Sequence, residues 1–331
     1  MKKVLSLILA LAMVFALAAC GEKQPSNDGD TDGDKPPRGN VIMTFGTADT
    51  GGSMYPAGAA VSQVWTNNVE GVKCNTQTST GSFQNCQDVS TGEVDVAVAT
   101  SDVVLNAYNG TGKFADIGKL DNLRVIGAVY TSVLSGVALK SSGLTYIHDG
   151  KRVAVGPAAS ATENATLAAF AAMDITKDNT SLENLGLGDG ADSVGDGILD
   201  AAFGFAGLPI GGQLNLAATK EIQVLDMTQE EIDKVLAGNA AYIQTKIPAG
   251  TYTGQDNDAN TFGVKCLIIV TADMDADLVY DLCKAMNEHT EEMAAGNALL
   301  KDMTDPSFLC TQMPIPLHDG AQKYYSEQGL I

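Results

Sequence analysis

Only three arginines, Arg38, Arg124 and Arg152, occur in 331 residues whose formal net charge is −20. A chain so acidic and so poor in guanidinium has no basic footprint for nucleic acid and no arginine-lined phosphate site. Histidine is scarce as well. His148, His289 and His318 are far apart, and none stands beside another metal-ligand type at zinc-like spacing. Besides Cys20 there is an odd set of five cysteines, Cys74, Cys86, Cys266, Cys283 and Cys310, with no C-x-x-C pair, so a disulfide framework is not indicated. Cys266 and Cys283 read as small core residues, while a Cys74–Cys86 pair and free thiols both remain open. Catalytic fingerprints are missing too. There is no G-x-x-x-x-G-K-[ST] loop, no G-x-S-x-G around Ser53, Ser82 or Ser160, and no dinucleotide spacing in Gly186, Gly188 and Gly190. Asp102 and Asp200 are candidates for a carboxylate pair, but with no nucleophile or metal to act on, a structural role is the better reading. The expectation is a protein that is not an enzyme and uses no cofactor or metal.

What is present begins at the N-terminus. Lys2 and Lys3 precede an apolar run, Val4 to Ala18, of secretory-signal length rather than membrane-span length. No later run is long and uncharged enough to span. The run closes on Leu17-Ala18-Ala19-Cys20, which resembles the lipobox of bacterial lipoproteins. That resemblance implies removal of residues 1–19, lipidation of the Cys20 thiol, and tethering to the outer face of the cytoplasmic membrane. Residues 21–40 are nearly free of apolar side chains and rich in Asp, Pro and Gly, a composition that cannot bury a core and reads as a disordered tether. Asp28, Asp30, Asp32 and Gly33 match the opening of a calcium loop, but its twelfth position is Gly39 rather than glutamate.

From Val41 onward, short β-branched runs alternate with amphipathic helical segments, the pattern of an α/β protein with parallel strands. Strands are expected at Val41 to Thr47, Val72 to Thr78, Val94 to Ala99, Arg124 to Tyr130, Leu134 to Leu139, Lys151 to Gly156 and Phe262 to Val270. Helices are expected at Met54 to Asn67, from Ser82 through Val89, at Ser160 to Met173 and at Leu278 to Met293. Three turns between strand and helix carry glycine and hydroxyls: Thr50-Gly51-Gly52-Ser53, Thr80-Gly81-Ser82, and Gly156-Pro157-Ala158-Ala159-Ser160-Ala161-Thr162. Each puts a helix N-terminus at the carboxyl end of a strand, where free backbone N–H groups and the helix dipole favour an anion. Each serine or threonine taken singly is also an ordinary N-cap.

With these stretches assembled, the chain resembles the solute-binding receptors of the TAXI group of TRAP transporters over nearly all of Val41 to Leu330. The matching segments are Gly51-Gly52-Ser53-Met54-Tyr55-Pro56-Ala57-Gly58, Thr80-Gly81-Ser82-Phe83-Gln84-Asn85, Val94-Asp95-Val96-Ala97 with Ser101-Asp102, and Gly150-Lys151-Arg152-Val153-Ala154-Val155-Gly156. Asp196-Gly197-Ile198-Leu199-Asp200-Ala201 before Gly207 and Pro209, Ile247-Pro248-Ala249-Gly250-Thr251-Tyr252, and Pro316-Leu317-His318-Asp319-Gly320-Ala321 complete the order. Two departures stand out: Ser160-Ala161-Thr162 where the family pattern reads Ser-Gly-Thr, and Thr100 where Gln is common.

The resemblance implies a type II periplasmic-binding-protein fold, two α/β lobes joined by hinge strands around a ligand cleft. Lobe 1 would be residues 41–135 plus 262–331 and lobe 2 residues 136–261. Its implied ligand-binding residues are Thr47, Gly52, Ser53, Tyr55, Thr80, Gly81, Ser82, Asn85, Ser101, Asp102, Tyr130, Ser160, Ala161, Thr162, Phe203, Gly207 and Pro209. The implied function is extracytoplasmic capture of a small carboxylate or an amino acid of the glutamate or glutamine type, and delivery to a TRAP membrane permease. A receptor feeding a membrane sensor is the alternative, and an α/β hydrolase or transferase a remoter one. Ser82→Ala and Asn85→Ala are expected to weaken ligand binding with little loss of melting temperature.

Overall fold

The computed structural model describes residues 39–331 apart from Gly51. The lipobox and the aspartate run lie outside the described residues. In chain order, β1 (Val41–Gly46), α1 (Met54–Asn68), β2 (Val72–Gln77), α2 (Ser82–Thr91), β3 (Val96–Thr100) and α3 (Ser101–Asn109) form successive strand-helix units. Then β4 (Leu123–Leu139) leads into a second series: β5 (Arg152–Ala154), α4 (Ala161–Ala172), β6 (Ser181–Glu183), α5 (Leu187–Gly195), β7 (Ala201–Ala206), α6 (Gly211–Thr219), β8 (Ile222–Leu225), α7 (Gln229–Gly238) and β9 (Ile243–Ile247). The chain returns through β10 (Ala259–Thr271) and closes with α8 (Ala276–Glu288), α9 (Thr290–Gly296), α10 (Pro306–Cys310) and α11 (Asp319–Glu327). Among the described residues no helix is long and apolar enough to cross a membrane.

The strands run β2-β1-β3-β10-β4 in one half and β6-β5-β7-β4-β8 in the other. In each half the first three are parallel, and the fourth, β10 or β4, is antiparallel to its neighbours. The halves therefore repeat one order, with the antiparallel strand arriving from the far side. This is the type II periplasmic-binding-protein arrangement of two α/β lobes. β4 and β10 pair from Leu123–Thr271 to Val133–Gly263, and the last residues of β4 then pair with β7 and β8. The two runs expected at 124–130 and 134–139 are thus one strand of 17 residues. Thr131, Ser132 and Ser135 interrupt the apolar pattern, but Asp302, Cys266 and Gln213 hydrogen-bond their hydroxyls, so the strand continues. The helix expected at 278–293 divides at His289, whose backbone (φ −114°, ψ 19°) leaves the helical path between α8 and α9.

Apolar residues fill both faces of each half-sheet. In the first, α1 lays Ala57, Val61, Val64 and Trp65 against Met43 and Phe45, with Trp65 stacked on Phe45 at 5.5 Å and its indole N–H given to Leu282 O at 3.0 Å. Val89, Val104, Phe114 and Leu267 cover the opposite face. In the second, Phe170, Phe203 and Phe205 pack on one side, and Val194, Leu216 and Tyr252 on the other. Each fully buried aliphatic or aromatic side chain contributes about 1.5–3 kcal/mol. Cys74 and Cys86 belong to clusters on opposite faces of the first half-sheet, and all five described cysteines are free and buried.

Candidate functional site

The three expected turns all lie where a strand feeds a helix, and their hydroxyls face different ways. Ser53 precedes α1 without capping it; its Oγ reaches across to Gly207 O at 3.3 Å. Ser82 opens α2 behind Gly81 (φ 116°), is fully buried, and its Oγ accepts from the Thr100 amide at 3.1 Å. Thr162 does the same in the other half, its Oγ1 accepting from the Phe205 amide at 3.1 Å. Ser160 is a true N-cap, accepting from the Glu163 amide at 3.1 Å.

Neighbouring groups fix these turns. The Asn85 side-chain amide donates to Thr47 O at 2.6 Å and Val98 O at 2.7 Å, tying the ends of β1 and β3 together from inside the core. Thr47 is buried, and its own hydroxyl donates to Gln77 O. Ser82 and Asn85 therefore serve backbone groups of the fold. These contacts argue against the expectation that their removal costs little melting temperature, because each loss takes a hydrogen bond from a buried backbone group. In the turn before α4, Gly156 (φ 93°) packs so tightly that a Cβ would lie 2.5 Å from Thr162 Cγ2, and Ala159 takes φ 61°. The Ala159 amide donates to Glu163 Oε2 at 2.8 Å, which holds that left-handed residue in place.

Two seams join the halves. At the first, Ser53 meets Gly207, and Leu299 of the 3-10 turn Ala298–Thr304 packs onto the same glycine so closely that a Cβ there would stand 1.8 Å from Leu299 Cδ1 and 3.2 Å from Tyr130 Cδ2. At the second, Asp102 of α3 is 0 % exposed and its Oδ2 accepts from Asn164 Nδ2 at 2.8 Å and from the Tyr242 hydroxyl at 3.2 Å. Asp102 Oδ1 has no hydrogen-bond partner. Burial pushes the Asp102 carboxyl up from its ordinary value, outweighing hydrogen bonds from Thr100, the Val103 amide, Asn164 and Tyr242. Beside it Lys113 and Glu163 form an ion pair at 2.6 Å. Burial alone would raise the Glu163 carboxyl, but hydrogen bonds from Lys113, the Ala159 amide and Asn184 overcome it and hold Glu163 low.

The remaining expected residues separate into four groups. Gly52, Tyr55 and Thr80 stay at least partly open on the first half, with Thr80 bonded to Gln84 Oε1. Ser101 lines a cavity of about 350 Å³ with Ala240, Ala241, Ile243, Lys265 and Met313, a size suited to a small molecule. Lys265 already donates to Phe308 O and Thr311 O there. Tyr130, Ala161 and Phe203 are core residues, Phe203 standing edge-on to Phe170 at 5.2 Å, while Pro209 is exposed. Asp200 is bound to Arg152 at 2.8 Å and to the Lys151 and Arg152 amides, so it does not pair with Asp102. Among the partners across the seams, Lys113, Asn164, Tyr242 and Leu299 carry no local signature; only Glu163, three residues after Ser160, does.

The histidines stand outside both seams: His148 meets Glu231 and Asp149, His289 meets Glu292, and His318 caps α11 through Gly320. None of the hydroxyls of Ser53, Ser82 and Ser160 is hydrogen-bonded to a histidine. The seams offer hydrogen-bonding groups from both half-sheets.

Residues 45–329 match the model of the NMT1-like family. Among solved structures, the chain is similar to the alkanesulfonate-binding protein SsuA of Xanthomonas axonopodis pv. citri bound to MOPS, with 14 % identity, 87 % of this chain and 84 % of that one covered, and a TM-score of 0.48. A Streptococcus pneumoniae amino acid ABC transporter substrate-binding protein bound to L-arginine aligns at 13 % identity over 79 % of this chain and 94 % of that one, with a TM-score of 0.45. A Bordetella bronchiseptica RB50 protein aligns at 12 % identity over 87 % and 98 %, with a TM-score of 0.49.

Proposed function

The chain belongs to the NMT1-like family, and from that premise we propose that it is an extracytoplasmic solute-binding receptor. It captures a small carboxylate or an amino acid such as glutamate or glutamine and presents it to a membrane permease of the TRAP type, while anchored through lipidated Cys20. The single observation that carries this reading is the pair of cross-lobe seams, Ser53 on Gly207 and Asp102 on Asn164 and Tyr242. Polar contacts made only when two lobes meet are what a ligand-driven closure needs, since a ligand shifts an equilibrium only by its differential affinity for the two states.

Residues 41–135 with 262–331 act as one lobe and residues 136–261 as the other, hinged where β4 and β10 cross. The acidic surface and the absence of Lys or Arg from the three turns suit recognition of one carboxylate by helix N-terminal amides and hydroxyls. Ligand-binding groups are drawn from Gly52, Ser53, Tyr55, Thr80 and Gly81 on one lobe and Gly207 on the other. Thermal unfolding against a panel of amino acids, organic acids, sugars and metal salts tests the reading. A rise in melting temperature with one carboxylate compound and none with sugars is the expected result. No rise with any compound, together with no small molecule released on denaturation, would sink it.

A further inference from the structure

We infer that closing the two lobes takes up one proton on Asp102, so that the closed form of this receptor is favoured as its surroundings become acidic. The inference rests on the two-lobe receptor reading but concerns a different property, the proton balance of closure. Asp102 sits on α3 of one lobe, and both of its hydrogen-bond donors, Asn164 of α4 and Tyr242 ahead of β9, belong to the other. In the closed form it is 0 % exposed with Oδ1 unpartnered. A carboxylate so placed has lost its water and, beyond the Thr100 hydroxyl and Val103 amide of its own half, gains only two donors across the seam, whereas a neutral carboxyl leaves only a polar group to accommodate. Opening the seam removes Asn164 and Tyr242, returns the group to water and lets it ionise.

The groups facing Asp102 do not supply the missing charge balance. Cys86 of α2 and Cys266 of β10 are buried thiols, Cys266 pushed up to about 12 chiefly by burial, and they stay neutral. The Tyr242 phenol is raised as well, by burial first and then by Asp102 itself. Thr100 and Asn164 carry no charge, and Lys113 is paired with Glu163 at 2.6 Å. Glu163 is held below its ordinary value by Lys113, the Ala159 amide and Asn184, the direction opposite to that of Asp102. The closed-form carboxyl is the raised one. The proton therefore favours closure below that raised value, and closure weakens as the pH rises through it, by up to about tenfold per unit between the open-form and closed-form values.

Small-angle X-ray scattering of the ligand-free protein between pH 5 and pH 8 tests this directly. Wild type is expected to be more compact at the acid end of the series than at the alkaline end, whereas Asp102→Asn, which keeps the shape and removes the titration, is expected to hold one radius of gyration throughout. Tyr242→Phe, which removes a donor that favours the charged form, is expected to move the wild-type midpoint to higher pH while still folding. A pH-independent radius in wild type, or the same expansion in Asp102→Asn, would overturn the inference. A protein that expands with pH but whose melting temperature answers to no carboxylate would instead retain the proton linkage and lose the receptor reading.

Discussion

Thr162 Oγ1 accepts a hydrogen bond from the Phe205 amide at 3.1 Å, and Ser82 Oγ stands in the same relation to Thr100. In both lobes a hydroxyl at a helix start is fastened to a neighbouring strand's carboxyl end, so the helix is fixed in height against the sheet. Replacing Thr162 by Val keeps the volume but strands the Phe205 N–H. Thr162→Val is expected to lose about 1–3 kcal/mol of unfolding free energy, read from the denaturant midpoint at unchanged slope.

Asn85→Ala removes both side-chain bonds to the Thr47 and Val98 carbonyls in a fully buried position. Thr47 O keeps the Ser79 hydroxyl at 2.8 Å, so the ligand-free melting temperature is expected to fall by a few degrees, corresponding to about 1–3 kcal/mol for the lost buried bonds. Differential scanning calorimetry of the unliganded protein measures it. A melting temperature within a degree of wild type would show that the carbonyls find new partners.

Gly207→Ala brings a methyl group within 1.8 Å of Leu299 Cδ1 and forces the first seam apart. Weaker ligand capture is expected, with thermal stability of the open protein nearly unchanged. Leu299→Ala in the same chain makes room for the methyl group, so the double variant is expected to recover most of the binding that Gly207→Ala alone loses.

Glu163 sits below its ordinary carboxyl value of 4.5 because Lys113, Ala159 and Asn184 favour the charged form over the cost of burial. The folded protein then binds this proton less readily than the unfolded chain. The stabilisation is complete above the unfolded value and is lost as pH falls through the lowered folded one. Glu163→Gln is expected to flatten that acid limb of the stability curve. Lys113 is 40 % exposed, so at neutral pH the Lys113→Ala change is expected to cost only about 0.2–1 kcal/mol, diminishing with salt.

Ala159→Gly relieves a φ of 61° in a residue with a Cβ. It is expected to be neutral or to stabilise by about 1 kcal/mol despite the added freedom of the unfolded chain. Chemical denaturation of the single variant checks this.

The alternating strands and helices were legible because the apolar residues of α1 and the β-branched runs of β1, β2 and β3 follow their own periods. β4 was not legible as one strand, since Thr131, Ser132 and Ser135 look like a break until their partners on distant segments are known. The same limit governs the seams. Ser53 and Asp102 announce themselves by their places at helix starts, but Asn164, Tyr242 and Leu299 become partners only through the folded path of the chain. A hydroxyl before a helix also has the same sequence signature whether it caps, as Ser160 does, or props a strand, as Thr162 does.

The 17 residues of β4 belong to both half-sheets at once, Leu123 to Val133 beside β10 and Val133 to Ala138 beside β7. A backbone cut within that strand would therefore take hydrogen-bond partners from both half-sheets at once.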